Sequence, residues 1–366
     1  MKNPLDKKGP KMKRIGNIYE KIFTTANLTK AIYNVAKGKK DRREVNHVLS
    51  ALDDTIKRIQ GNPHITGEYL PKTKTDSSSG KTREILEPKF YPDQIIHHAL
   101  CQIIEPVMTR GMYKYCSGSV KKRGMLYASN IIRRSLVKRT KDTKWFVKLD
   151  VTKYYEHIDH EVLKSKFRRV IKDPKVLALM DEIVDSTEKG LPIGNYTSQW
   201  FANFYLQDFD HYVKEQIRVP VYVRYMDDMV LIGPNKRKLE EAVLLIRKYL
   251  KDEMKLDLHD EIEVKRVAYE KGGKIIGNFI DFCGYRHYRG FTTIRRRIWR
   301  RIHRLFYRLK KWITLKRARS FMSYYGYIIH SDSKHVEKKY FTFFDMKAVR
   351  QIIREESLRQ LQGGSL

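Results

Sequence analysis

The spacing of apolar residues predicts helices over about the first 60 positions. Apolar side chains recur every three or four residues at Leu28, Ala31, Ile32 and Val35, and again at Val48, Leu52 and Ile56. Residues 61–64 (GNPH) then break this periodicity. Residues 66–88 predict a strand, a polar turn with an Asp-Ser-Ser-Ser-Gly tip that we expect to be mobile, and a second strand. Residues 93–108 return to helical spacing, and residues 114–134 predict a loop that leads into a helix.

The middle of the chain predicts a sheet. Residues 144–151 read as a short apolar strand that ends at Asp150. Residues 219–233 predict a hairpin with Asp227 and Asp228 at its tip. An amphipathic helix over 236–251 and a further strand or hairpin over 278–288 are expected to follow.

The segment 295–319 predicts one amphipathic helix with a strong positive charge. It contains twelve Lys and Arg residues and no acid. Its apolar stripe consists of Ile298, Ile302, Leu305, Leu309 and Trp312. We expect the stripe to pack on a neighbouring helix and the cations to follow the phosphates of a nucleic acid.

The composition and net charge of the chain indicate what kind of molecule it binds. The 366 residues include 75 Lys and Arg against 42 Asp and Glu, a formal charge of +33, and 41% hydrophobic residues. This length predicts two or three subdomains, and this charge predicts a polyanionic partner such as nucleic acid. No apolar stretch approaches the ~20 residues of a membrane-spanning helix, and the basic N-terminus lacks the apolar core of a signal peptide. Three scattered cysteines suggest neither zinc nor disulfides, so a reducing cytoplasm is expected.

The adjacent carboxylates of Asp227 and Asp228 need a positive partner. Asp150 ends another strand, and strand ends that are distant in sequence can meet at one end of a sheet. Carboxylates and water suit magnesium, and two such ions can serve an in-line displacement at phosphorus. The alternative is a solvated turn. Tyr225 and Met226 before the pair and the apolar strand after it favour the metal site.

Four motifs, taken together in their order along the chain, resemble those of reverse transcriptases. Residues 225–228 (YMDD) between apolar strands resemble the catalytic hairpin of that family, and residues 146–163 (FVKLDVTKYYEHIDHEVL) resemble its first catalytic motif. Residues 190–206 (GLPIGNYTSQWFANFYL) resemble the segment beneath the template and the incoming nucleotide, and residues 281–288 (DFCGYRHY) resemble the primer grip. The resemblance implies an α+β right-hand polymerase. Its expected parts are N-terminal helices and fingers over 1–143, a palm with an antiparallel sheet over 144–290, and a short basic helical thumb with the C-terminal tail over 291–366.

The resemblance also implies roles for individual residues. Two Mg²⁺ ions are expected on Asp150, Val151, Asp227 and Asp228, of which the three aspartates are catalytic. The nucleotide-binding set is Lys81, Arg83, Tyr155, Ile193, Gly194 and Gln199. The primer grip is Phe282, Cys283, Gly284 and Tyr285. The thumb contacts to the nucleic-acid backbone are Arg295, Arg296, Arg297, Arg300, Arg301, Arg304 and Arg308.

Some of these roles have structural alternatives. Tyr155 is expected to exclude a ribose 2′-hydroxyl, although one of Tyr154 and Tyr155 could simply be a buried aromatic. Lys81 and Arg83 alternate on one strand and can face a triphosphate together, or they can be ordinary solvated charges. The sequence does not single out the lysine that would protonate pyrophosphate, and Lys265 is the candidate.

The middle motif resembles that of the enzymes of diversity-generating retroelements. Most reverse transcriptases have Gln-Gly followed by Ser-Pro, whereas this chain has Ile193-Gly194 followed by Ser198-Gln199. The resemblance implies error-prone copying of a template-repeat RNA at adenines, a bacterial or phage source, and a small basic accessory variability protein as partner. Ile193 has two interpretations, which can hold together. It lacks a donor or acceptor that could constrain the base pair by a hydrogen bond, and it can be a packing residue. The alternatives are a retron, abortive-infection, CRISPR-associated or intron-derived reverse transcriptase, and a non-catalytic RNA-binding protein on a polymerase fold.

Overall fold

The N-terminal part of the chain is helical, as its apolar periodicity predicts. The structure, a computed structural model, describes residues 14–75, 82–333 and 346–362. The helices of this part are α1 (Tyr19–Ile22), α2 (Thr25–Ala36), α3 (Arg43–Ser50), α4 (Leu52–Gly61) and α5 (Ile95–Thr109). The Thr24 side chain accepts a hydrogen bond from the Asn27 amide and so caps α2, which packs along α5.

The strand–turn–strand prediction over 66–88 is confirmed for its two strands. Strand β1 (Tyr69–Thr75) pairs antiparallel with β2 (Thr82–Pro88). The ribbon is largely exposed except near its base at Pro88. The polar tip and Lys81 lie outside the described residues.

A five-stranded sheet forms the centre of the molecule. Its strands are β3 (Cys116–Ser117), β4 (Trp145–Leu149), β5 (Val221–Tyr225), β6 (Asp228–Gly233) and β7 (Lys265–Arg266), in the order β3-β5-β6-β4-β7. All neighbouring pairs are antiparallel except β3 with β5, which is parallel. The expected antiparallel sheet is therefore mixed at one edge, where a two-residue strand joins it from the loop before α6.

Alternate residues of the central strands enter two different cores. Val223 and Val230 pack with Ile132 of a helix on one face. Tyr222 and Leu231 face the main core on the other side. The apolar runs of β5 and β6 thus belong to strands that are covered on both faces. The helices of this middle part of the chain are α6 (Met125–Lys138), α7 (His160–Val170), α8 (Pro174–Val184), α9 (Tyr196–Tyr205), α10 (Gln207–His211) and α11 (Lys236–Met254), of which α6 and α11 pack on the central strands.

Two small antiparallel units follow the sheet. One pairs β8 (Tyr269–Lys271) with β9 (Lys274–Ile276), and the other is a meander of β10 (Ile280–Phe282), β11 (Tyr285–His287) and β12 (Thr292–Ile294). The hairpin predicted over 278–288 is therefore confirmed. The final helices are α12 (Arg296–Lys311), α13 (Leu315–Ile329) and α14 (Met346–Gln362).

The prediction of one helix over 295–319 is wrong. Helix α12 ends at Lys311, and Trp312 has extended backbone angles, φ −160° and ψ 147°. The Trp312 side chain is 60% exposed and is not part of the apolar stripe. The Thr314 side chain accepts a hydrogen bond from the Arg317 amide and caps a new helix, α13. Phe306, which is not among the five residues of the predicted stripe, is buried in place of Trp312. Within the described ranges, none of the helices combines the length and apolarity that crossing a membrane requires.

Candidate active site

Strand register brings the three predicted aspartates together. Leu149, the last residue of β4, pairs with Met229 of β6. Asp150 follows Leu149, and Asp228 precedes Met229, so the two aspartates are neighbours across the antiparallel pair. Asp227 occupies the two-residue turn between Tyr225 and Asp228, which pair with each other. The predicted hairpin is confirmed, with Asp228 as the first residue of β6 rather than part of the turn.

The three carboxylates lack sufficient positive charge around them. Burial and the nearby carboxylates of Asp150 and Asp228 raise the pKa of Asp227 to about 6, although Arg83 acts in the opposite direction. Burial also raises the pKa of Asp228, whereas Lys148 lowers it. The Lys148 ammonium lies 3.7 Å from Asp228, too far for a close hydrogen bond. A cation bound beside these carboxylates would therefore stabilise the ionised forms of Asp227 and Asp228.

The residues present fit a divalent cation that keeps some ligands from elsewhere. In the described parts of the chain, no three Asp, Glu, His or Cys side chains are close enough to enclose a metal ion by themselves. The side chains of Asp150 and Asp228 are 42% and 41% exposed, so both can reach an ion in the adjoining cleft. Magnesium commonly binds through one or two carboxylates and completes its shell with water and phosphate oxygens.

A cleft of about 510 Å³ opens beside the aspartates. Its lining residues are Lys148, Leu149, Asp150, Asp228, His259, Asp260, Glu261 and Ile262. His259 approaches Asp150 to 3.9 Å, and its main-chain amide donates to the Asp150 carbonyl at 3.1 Å. Lys265 does not line this cleft, because it lies in β7 and forms an ion pair with Glu263 at 3.0 Å.

Tyr155 and Arg83 both lie close enough to Asp227 to interact with it electrostatically. The carboxylate of Asp227 raises the pKa of Tyr155, after the larger effect of burial, and Arg83 lowers it. Tyr154 is 2% exposed, and its hydroxyl donates to the Ala202 carbonyl at 2.5 Å. Tyr154 is thus the buried aromatic of the pair and Tyr155 is half-buried, and the Asp227 carboxylate raises the pKa of both hydroxyls.

The segment 190–194 is held between Tyr155 and strand β2. The Leu191 amide donates to the Tyr155 carbonyl at 2.7 Å, and the Leu86 amide donates to the Ile193 carbonyl at 3.0 Å. Gly194 comes so close to β2 that an added Cβ would lie 2.0 Å from the Leu86 carbonyl oxygen. Only glycine fits at this crossing.

The other middle-motif residues differ in exposure. Ile193 is half-buried, and Gly194 and Gln199 are exposed. Ser119 donates a hydrogen bond of 2.9 Å to the Gln199 side-chain oxygen. Ser198, which precedes Gln199 in the Ser198-Gln199 pair, is 2% exposed and belongs to the packed face of α9.

The proposed primer-grip residues form the β10–β11 turn. Phe282 and Tyr285 are 0% and 3% exposed, and Cys283 and Gly284 have φ angles of 49° and 84°. Two positive φ angles are typical of a type I′ hairpin turn. Gly284 is buried as well, against Tyr327 and Ile298, so Cys283 is the one partly exposed residue of these four.

The seven predicted thumb arginines fall into three groups. Arg296, Arg297, Arg300, Arg304 and Arg308 are exposed, and Arg301 is half-buried. Arg295, which precedes the helix, donates to Asp281 at 2.5 and 2.6 Å. A phosphate contact by Arg295 would therefore compete with this ion pair.

Sequence reasoning missed a buried ion pair behind the Met226–Asp227 turn. Arg224 of β5 and Asp210 of α10 are both 0% exposed and are joined by two hydrogen bonds, of 2.7 and 2.5 Å. The available signal was a single cation inside the apolar run 219–226. Lys148 was missed too, although it alternates with Asp150 on the preceding strand.

Comparison with known proteins gives several partial matches. Escherichia coli K12 protein YkfC is 23% identical over 159 residues, 40% of this chain and 40% of YkfC. The Retron Ec73 reverse transcriptase of Escherichia coli is 23% identical over 247 residues, 64% of this chain and 72% of the relative. The solved structure of Candida albicans telomerase with a telomeric RNA fragment covers 75% of this chain and 56% of its own, at 12% identity and a TM-score of 0.45. The chain thus spans well under two thirds of YkfC.

A family-wide match covers the region that contains the site. The model for "Reverse transcriptase (RNA-dependent DNA polymerase)" matches residues 74–261, slightly more than half of the chain. That range includes β2, Tyr155, the 190–194 segment and all three aspartates. The α+β architecture and the meeting of these residues at one sheet end agree with the right-hand polymerase fold. This chain belongs to the reverse transcriptase family, whose members use divalent metal ions.

Proposed function

We propose that this chain is an RNA-directed DNA polymerase that extends a primer on an RNA template with dNTPs. The observation that supports this most directly is the register that brings Asp150 beside Asp228 and next to the turn that contains Asp227. A polymerase needs carboxylates at this point, because two divalent ions must be held near the primer terminus and the triphosphate. In this proposal the N-terminal helices and fingers span 1–143, the palm 144–290, and the thumb and tail 291–366.

Two Mg²⁺ ions are the proposed cofactor. The side chains of Asp150, Asp227 and Asp228 and the backbone carbonyl of Val151 would hold them. When bound, the ions supply activation of the primer 3′-hydroxyl and charge neutralisation of the leaving pyrophosphate. The register of β4 and β6 keeps the carboxylates at one sheet end before any ligand arrives, which limits the reorganisation needed at the moment of reaction.

Tyr155 and Arg83 are proposed to form the nucleotide site with the 190–194 segment. The Tyr155 ring, half-buried next to Asp227, would fill the space of a ribose 2′-hydroxyl and so exclude NTPs. The exposed Arg83 side chain, whose charge acts on Asp227, would contact the triphosphate together with Lys81. Ile193, Gly194 and Gln199 would lie beneath the incoming nucleotide and the template.

The template–primer duplex is proposed to run from the β10–β11 turn, where Cys283 is partly exposed, along α12. The exposed arginines of α12 would contact phosphates, a mode of binding that is independent of base sequence. Phe282 and Tyr285 would support the turn from the core. Arg295 would act mainly through its ion pair with Asp281, which joins the start of α12 to the primer-grip hairpin.

We further propose the diversity-generating subtype. Its support is the sequence Ile193-Gly194 followed by Ser198-Gln199. In this proposal the enzyme copies a template-repeat RNA with errors at adenines, acts with a small basic accessory variability protein, and works in the cytoplasm of a bacterium. A retron-type enzyme is the second candidate, favoured by the match across 72% of the Retron Ec73 enzyme. A non-catalytic RNA-binding role is disfavoured by the intact set of three aspartates.

Primer extension tests the activity and the subtype together. A primed RNA template is incubated with Mg²⁺ and dNTPs, and the cDNA is sequenced. We expect extension, its loss in Asp227→Asn, and misincorporation concentrated at template adenines. Asp252→Asn on the exposed side of α11 makes the same chemical change outside the site and should extend normally. Unchanged extension by Asp227→Asn would refute the metal assignment, and equal error rates at all four bases would favour the retron-type candidate.

A further inference from the structure

The Met226–Asp227 turn between β5 and β6, called here the catalytic turn, has an unfavourable backbone conformation. Met226, the first residue of the two-residue turn, has φ +55°. Positive φ is rare for a residue with a long side chain, and such conformations persist only where the surroundings impose them. Asp227 comes next in the chain, so the conformation of Met226 sets the direction of that carboxylate.

Both main-chain groups of Met226 are held by residues outside the turn. The Met226 amide donates to the Ser117 carbonyl at 3.1 Å. The Met226 carbonyl accepts a hydrogen bond of 2.8 Å from Nη1 of Arg224. The Ser117 hydroxyl, in turn, donates to the Arg224 carbonyl at 2.8 Å. The turn is therefore tied to β3 on one side and to a buried guanidinium on the other.

The guanidinium itself is fixed from two further elements. Its Nε and Nη2 atoms donate to the two carboxylate oxygens of Asp210 at 2.7 and 2.5 Å. Its Nη1 atom also donates to the Asn203 side-chain oxygen at 3.2 Å, and the Asn203 amide donates to the Gly118 carbonyl at 2.9 Å. A rigid planar group with several donors can make all these bonds at once, which an ammonium cannot. Helices α9 and α10 thereby determine where the guanidinium meets the turn.

We propose that Arg224, oriented by Asp210 and Asn203, is a positioning residue that holds the Met226 carbonyl and so directs Asp227 toward the metal site. The inference rests on the proposed polymerase activity. Arg224 does not contact the reacting groups. Its charge is balanced by Asp210 at 2.5 Å, so its effect on the turn is geometric rather than electrostatic.

Arg224→Lys is the main test. Lysine keeps the charge near Asp210 but cannot also hold Asn203 and Met226 in the same geometry. We expect a folded protein whose kcat for primer extension falls by about tenfold to a hundredfold, because small misplacements of catalytic groups have effects of that size. The Mg²⁺ concentration for half-maximal activity should rise, and Mn²⁺ binding followed by electron paramagnetic resonance should weaken. The Kd for template–primer should stay within about twofold.

Met226→Gly in the Arg224→Lys background separates positioning from plain stability. Glycine adopts positive φ without strain, so the turn no longer depends on the guanidinium. We expect part of the lost kcat to return, although the Tm stays at the level of Arg224→Lys. A role limited to core stability would give no such recovery.

Lys166→Met serves as the matched control. The buried Lys166 of α7 forms another ion pair, of 2.7 Å, with the half-buried Asp208 of α10. Its loss should lower the Tm and leave kcat per folded molecule unchanged. Normal kcat and Mg²⁺ dependence in folded Arg224→Lys would overturn the positioning role. Failure of both Arg224 variants to fold would also overturn it, because the pair would then act in folding. An inactive wild-type protein would instead refute the proposed function.

Discussion

The main-chain amide of Leu86 donates a hydrogen bond of 3.0 Å to the carbonyl of Ile193. This bond joins the exposed β1–β2 ribbon to the loop that leads into α9. The loop is also bonded to Tyr155 through Leu191. Arg83 on the ribbon, Tyr155 and the middle motif are thus coupled through the main chain, and a change in one is expected to affect how the others meet a nucleotide.

Ile193→Gln is expected to reduce misincorporation at template adenines. Glutamine adds a donor and an acceptor where isoleucine has neither, and one polar contact can improve discrimination by about tenfold or more. Sequencing of cDNA made by both proteins measures the change. Ile275→Gln on the exposed part of β9 is the control and should leave the error spectrum as it is. Identical spectra for Ile193→Gln and the wild type would remove Ile193 from the account of fidelity.

Tyr155→Val is expected to admit ribonucleotides. Removal of the ring opens space for a 2′-hydroxyl, so the preference for dNTPs over NTPs should fall by about tenfold to a hundredfold. Single-nucleotide incorporation with each substrate gives the ratio of kcat/KM values. Tyr154→Phe removes only the bond to the Ala202 carbonyl, so stability should fall by about 1 kcal/mol with sugar selectivity intact. A change in selectivity with Tyr154→Phe but not with Tyr155→Val would reverse the assignment.

Gly194→Ala is expected to destabilise the protein by about 1–3 kcal/mol, the usual cost of overpacking. The added methyl group would lie 2.0 Å from the Leu86 carbonyl, so the ribbon or the loop must move. Urea denaturation measures the free energy of unfolding. Gly326→Ala within α13, where no atom beyond the adjoining residues and the helix's own backbone lies within 4 Å of the added carbon, should stabilise the protein by about 0.5–1 kcal/mol. Equal stability of Gly194→Ala and the wild type would contradict the close approach of β2.

Arg300→Ala with Arg304→Ala is expected to weaken binding to an RNA–DNA duplex and reduce its salt dependence. Both side chains are exposed on α12. If each contacts one phosphate, the slope of log K against log salt concentration should become shallower by about 2. Fluorescence anisotropy at several salt concentrations gives the slope. Arg237→Ala on α11, 87% exposed and 3.3 Å from Glu241, is the control. An equal loss of slope in the control would show general charge attraction rather than a defined track.

Local pattern sufficed for the elements that the active site needs. Alternation and turn residues predict β4 and the β5–β6 hairpin, and their register then places Asp150 beside Asp228. Pattern failed at Trp312, because the 4-3-4-3 spacing continues through the residue at which the backbone turns extended. The Asp210–Arg224 ion pair could not be predicted from the sequence either, because tertiary packing decides which helix residue meets which strand residue. For Arg224 the sequence shows only an unexplained cation in an apolar strand.

The two short outer strands of the central sheet affect how easily two copies of the protein could pair edge to edge. The sheet ends at β3 on one side and at β7 on the other, and each has only two residues. A long unpaired edge would offer a row of amide and carbonyl groups to the strand of another molecule, and a short edge offers very few. The outer strands pair with only two residues each, Arg224 and Tyr225 of β5 and Trp145 and Phe146 of β4, so neighbouring side chains and loops, rather than a paired strand, must shield the rest of β5 and β4 on these sides.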